Sequence, residues 1–102
     1  MAVVGIKSSL VGTSVVSLYT WSTGISECNS IDVLNRLNSQ VLVDLYLDDN
    51  GTAIYLVKDY PLPGKTPMPY RGAVVFSSTG QILKVKSDTA ASLDVIGRVL
   101  EH

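Results

Sequence analysis

Val41-Leu42-Val43-Asp44-Leu45-Tyr46-Leu47-Asp48-Asp49-Asn50-Gly51-Thr52-Ala53-Ile54-Tyr55-Leu56-Val57-Lys58 carries the clearest structural signal in the chain. Val41, Val43, Leu45 and Leu47 alternate with Leu42, Asp44, Tyr46 and Asp48. A period of two places successive side chains on opposite faces of a strand. Asn50-Gly51 then supplies two residues at ease with positive φ, as a type I′ hairpin turn requires, so the segment is expected to be a β-hairpin.

Before this hairpin, Val3–Ile6 and Thr13–Trp21 read as strands, the second rich in β-branched and aromatic residues. Ser8-Ser9 and Gly12 mark a turn or bulge between them, and pairing as a hairpin is expected. From Ser22 to Asn29 the apolar pattern fades. Asn29 or Ser30 can then cap a short helix from Ile31, with Ile31, Leu34 and Leu37 on one face, ending before Val41. After the hairpin, Pro61, Pro63, Pro67 and Pro69 are expected to break regular structure between Tyr60 and Tyr70. Ala73–Phe76 and Ile82–Val85 read as a second hairpin about Ser78-Thr79-Gly80. Ser87 or Asp88 would cap a final helix striped by Leu93, Ile96, Val99 and Leu100.

The expected order is ββαββ-loop-ββα. It implies an α+β fold, an antiparallel sheet built from hairpins with two helices packed on one face. The segment from Gly72 onward loosely resembles the strand, tight turn, strand and helix of roadblock or profilin-like dimerisation modules. That resemblance covers under a third of the chain, carries no specific motif and lacks the opening helix of roadblock domains, so it assigns the chain to no family.

At 102 residues the chain is expected to be one compact domain over residues 1–99. Leu100-Glu101-His102 has the order that a common expression vector leaves in front of a polyhistidine tag, so residues 100–102 are read as a tag remnant. His102 is the chain's one histidine, and Cys28 its one cysteine. Without a native imidazole the familiar hydrolase triads and tetrahedral zinc sites are not expected, and no metal or cofactor is assigned. The apolar runs are too short to span a bilayer. Lys7 follows the first apolar run instead of preceding it, so a strand is favoured over a secretory signal. The lone cysteine fits the cytoplasm.

With Glu101 set aside the formal charge is zero, but it is unevenly spread. Residues 1–49 carry −3, residues 50–87 carry +4 and residues 88–99 carry −1. Several motifs dissolve on inspection. Gly64-Lys65-Thr66 ends like a P-loop, but Asp59 stands where the first glycine belongs, and Pro67 and Pro69 forbid the following helix. Asp48, Asn50 and Gly51 echo a calcium loop without its downstream acid; a tight turn explains them. Asp44 and Asp48 share a strand face about 13 Å apart, too far for a carboxylate pair. Cys28 has no cationic neighbour in sequence to activate it and reads as a structural thiol.

Lys58, Tyr60, Lys65, Met68, Tyr70 and Arg71 cluster around the prolines of residues 58–71, and Lys84 and Lys86 share one strand face further on. Long irregular loops in compact domains often carry function, so this loop is the expected partner-docking element. The chain is read as a small non-enzymatic binding or assembly module, an accessory protein that self-associates through sheet edges, with a homodimer favoured. One alternative is single-stranded nucleic-acid binding, with those lysines neutralising phosphate and the tyrosines stacking on bases. A third is an enzyme working through carboxylates or serine.

Overall fold

The computed structural model describes residues 2–22 and 24–102. Among the described residues are nine strands: β1 (Ala2–Val11), β2 (Val16–Thr20), β3 (Ser26–Asn35), β4 (Val41–Asp49), β5 (Thr52–Leu62), β6 (Pro67–Tyr70), β7 (Val74–Phe76), β8 (Gln81–Ser87) and β9 (Leu93–Glu101). No helix occurs among the described residues, so none is long and apolar enough to cross a membrane.

The strands form two antiparallel sheets. The first, sheet A, runs β1-β9-β3-β6, with β7 also pairing with β3. The second, sheet B, runs β2-β8-β4-β5. β6 takes Ile31–Leu34 of β3 and β7 takes Ser26–Cys28, so the two lie end to end along one edge as an interrupted strand. With β6 and β7 counted as one, the strand orders of the two sheets are those of a double-sheet jelly roll, the chain changing sheet at every connection but the β4–β5 hairpin. The inward residues of both sheets form one core, in which Ile31, Val33, Val43, Leu45, Phe76, Leu83, Val85, Leu93 and Val99 are fully buried.

The α+β expectation is therefore overturned, and both expected helices are strands. β3 buries Ser26, Cys28, Ile31, Val33 and Asn35, an alternation interrupted only by a bulge between Cys28 and Ser30. β9 buries Leu93, Val95 and Val99 and turns Ile96 out to solvent. The helical stripe thus mixed inward and outward residues. Val95, Ile96 and Val99 suit strands, and Gly97 weakens a helix by about 1 kcal/mol. Each strand also has neighbours on both sides, so its backbone groups find partners along two ladders. Gly97 is required there, since a Cβ would lie 2.5 Å from the Ser30 carbonyl oxygen. Ser87 ends β8 and caps no helix. The resemblance to roadblock modules falls with the final helix.

The central hairpin does form. Asp49 pairs with Thr52, and Asn50 and Gly51 turn the chain with φ of 53° and 95°. The other two expected hairpins do not. β1 and β2 lie in different sheets, as do β7 and β8, and Ser78-Thr79-Gly80 connects the layers. The prolines do not abolish regular structure either. Pro61 lies in β5 and Pro67 and Pro69 in β6, each at a sheet edge, where a missing amide donor costs no ladder bond. What remains of the expected loop is a short turn, in which the Lys65 amide donates to the Leu37 carbonyl at 2.9 Å.

Candidate functional site

A sandwich buries one face of each sheet, so an interaction surface must come from the outer faces and the edges. On sheet B the register sets Ser17, Lys84, Tyr46 and Tyr55 in one row across β2, β8, β4 and β5. The Tyr46 and Tyr55 rings lie 5.1 Å apart, and the Lys58 ammonium sits 4.6 Å from the Tyr55 centroid. Lys84 is held 2.6 Å from Asp48. Lys86 follows on the same face, opposite Asp44, whose nearly buried carboxylate accepts the Asp59 amide at 2.7 Å.

The ammonium of Lys84, with help from the Gly51 amide, pulls the Asp48 carboxyl below its ordinary value; Asp48 in turn raises Lys84. Asp88 is lowered by accepting the Leu42 amide and then the Thr89 hydroxyl. A carboxyl whose folded pKa is depressed contributes stability above its ordinary value of 3.8 and loses it as pH falls. The urea midpoint is thus expected to drop between pH 6 and about pH 3, and to drop less in an Asp48→Asn, Asp88→Asn double variant.

The outer face of sheet A has a different character. Across β1, β9, β3 and β6 the register gives a row of Lys7, Ile96, Asp32 and Pro69, and below it Asp94, Leu34 and Pro67. At the other end stand Val3, Leu100, Glu27 and Val75. Ile96 and Val3 are each 63% exposed. A shallow groove of about 410 Å³ runs over Lys7, Asp32, Leu34, Pro67, Asp94 and Ile96. Arg71 binds Asp32 at 2.9 Å and Arg36 binds Asp94 at 3.3 Å, which ties down the acids at its rim.

The eight residues expected to dock a partner do not form one surface. Lys58, Lys84 and Lys86 share the outer face of sheet B, while Tyr60 lies at its β5 edge, opposite Val43. Met68 and Tyr70 belong to β6; Met68 is buried opposite Val33 and Tyr70 half-buried opposite Ile31. Arg71 clamps Asp32 and the Ile31 carbonyl, and the Lys65 ammonium donates to the Arg36 carbonyl. Two of the lysines thus gained tyrosine neighbours, Tyr46 and Tyr55, that the sequence reading had not singled out. The apolar groove was missed altogether. Its signal was Ile96, on the opposite parity from Val95 and Val99, visible only once β9 is read as a strand.

Cys28 is buried, and burial pushes its thiol up, away from the reactive thiolate. Tyr19 donates to Glu101, contacts the Ser26 hydroxyl at 3.0 Å, and is raised chiefly by burial. Among the described residues no three His, Cys, Asp or Glu side chains gather as metal ligands.

No family model matches the chain, and no curated protein does. Thirteen chains of solved structures match. One, from the structure of infectious bursal disease virus, Gx strain, aligns with a TM-score of 0.50 and 16% identity over 96% of this chain. The present chain spans 31% of that one, and at such identity the likeness is one of fold, in agreement with the two-sheet topology derived from strand order.

Proposed function

We propose that this jelly-roll domain is a non-enzymatic assembly module that associates with copies of itself, acting in the cytoplasm, where its single buried thiol stays reduced. Jelly rolls serve through their surfaces in viral coats and lectins alike, so the reading rests on which surface is unfinished. The observation that carries it is Ile96. It stands on the outer face of β9, a strand with neighbours on both sides, where a solvated antiparallel sheet would place a polar residue. Leu34, Pro67 and Pro69 extend the apolar area around it.

Single-stranded nucleic acid is a second reading, favoured by Tyr46, Tyr55, Lys58, Lys84 and Lys86 on sheet B. Lys84 is already engaged by Asp48, which reduces the charge left for phosphate. Sedimentation velocity from about 1 to 100 μM, alone and with a labelled oligonucleotide at low salt, tests both readings, since micromolar association spans that range. A rising weight-average mass without oligonucleotide is expected. One chain mass at every concentration, with oligonucleotide co-sedimenting, would replace the first reading with the second.

A further inference from the structure

We infer that the outer face of sheet A packs against the same face of a second copy, about a two-fold axis running along the strands between β9 and β3. This rests on the self-association reading above and names its surface and geometry.

The argument begins with the placement of charge. Lys7 on β1 and Arg98 and Asp94 on β9 lie on one half of the face; Glu27 and Asp32 lie on β3, the other half. Asp32 is paired with Arg71 and Asp94 with Arg36, but Glu27, Lys7 and Arg98 join no ion pair with another described residue. With the paired carboxylates neutralised, the charges left over are positive on one side of the midline, at Lys7 and Arg98, and negative on the other, at Glu27, with Ile96 and Leu34 between them.

A two-fold axis along that midline stacks β9 of each copy on β3 of the other. The positive half of one face then covers the negative half of its partner, twice over, as an isologous interface requires. In the register of sheet A, Arg98 lies opposite Ser30, and Glu27 opposite Leu100, two residues further along β9. On stacking, the Arg98 guanidinium of one copy thus approaches Glu27 of the other with an offset of about 7 Å along the strand, within the span of an arginine side chain. Ile96 of each copy comes down over the partner's Asp32 row beside Leu34, which fills the groove from the opposite side.

An edge-to-edge pair through β1 does not serve as well. Ile96 is one strand in from that edge and Leu34 two, so both would remain in water. A partner of other chemistry would need the same charge pattern in reverse, and this face already presents it.

Charge reversal tests the geometry. Glu27→Arg and Arg98→Glu each place like charges together at both symmetric contacts, and each is expected to raise the dimer dissociation constant at least about tenfold in low salt. Mixed in equal amounts, the two variants restore both pairs, and the mixture is expected to dimerise within about threefold of the unmodified protein. Ile96→Asp is expected to abolish association at about 100 μM. All three positions face outward, and circular dichroism with thermal melts confirms that each variant folds. If the unmodified protein self-associates but none of the three variants weakens it, this surface is excluded and self-association stands through another. Weakened single variants that fail to rescue one another overturn the two-fold arrangement. A monomeric unmodified protein removes the self-association reading together with this one.

Discussion

Phe76→Ala is expected to remove about 4 kcal/mol of folding free energy, enough to take a domain of ordinary stability close to its unfolding threshold. The ring is fully buried, on a strand of only three residues, and meets Tyr19 edge to face at 5.0 Å and 63°. Phe76 belongs to sheet A and Tyr19 to sheet B, so this contact joins the two layers where β7 has little ladder of its own. Truncation leaves a cavity bounded by both sheets, and neither can close on it without shifting against the other. Urea unfolding followed by far-UV circular dichroism measures the loss. Val75→Ala is the control, because Val75 points outward from the same strand and should change stability by less than about 0.5 kcal/mol. Equal effects from the two would show that β7 is not fixed as described.

Asn35→Asp is expected to cost at least about 3 kcal/mol at neutral pH, although it replaces a single amide nitrogen with oxygen. Asn35 is fully buried at the end of β3. Its amide nitrogen donates to the carbonyls of Ser39 at 2.8 Å and of Leu62 and Pro63 at 3.1 Å each. Its amide oxygen accepts the Leu37 amide at 2.9 Å. One side chain thus joins the turn after β3 to the chain leaving β5. A carboxylate would hold the Leu37 contact and set its second oxygen against three carbonyls, with no water to screen them. The pH dependence identifies the cause. The carboxyl at position 35 would have its folded pKa raised above the unfolded value, so the deficit should be smallest below that value, where the protonated group can donate, and should grow as pH rises. That trend is opposite to the acid loss expected from Asp48 and Asp88. A deficit independent of pH would point to steric disturbance instead.

Local chemistry made part of this fold legible. The β4–β5 hairpin announced itself because alternation and an Asn-Gly turn are both properties of neighbouring residues. β1 and β2 were readable as strands but not as members of different sheets, since pairing between residues far apart leaves no mark on either segment. β3 and β9 were misread because a few apolar residues in a short run satisfy helical and strand spacing together. The ladders on both sides decided the matter, and these are tertiary facts. The prolines misled for a related reason. Their lack of an amide donor disqualifies them only from interior strands, and whether a strand is an edge is settled by the whole topology. The same limits governed the surface. That Lys84 and Lys86 share a face followed from a period of two, whereas the exposed Ile96 had been assigned to the core by the helical reading.

The pairing of Ala2 with Glu101 makes sheet A the slower of the two sheets to close. β1 bonds within sheet A only to β9, and β9 also separates β1 from β3. Until β9 docks, β1 has no ladder in its sheet and β3 lacks the neighbour on one side. Sheet B is finished earlier, as soon as β8 has joined β2 to β4. A chain in which sheet B has formed and β9 has not yet docked therefore leaves part of sheet B's apolar inner face uncovered, a state in which a holding chaperone would find its target.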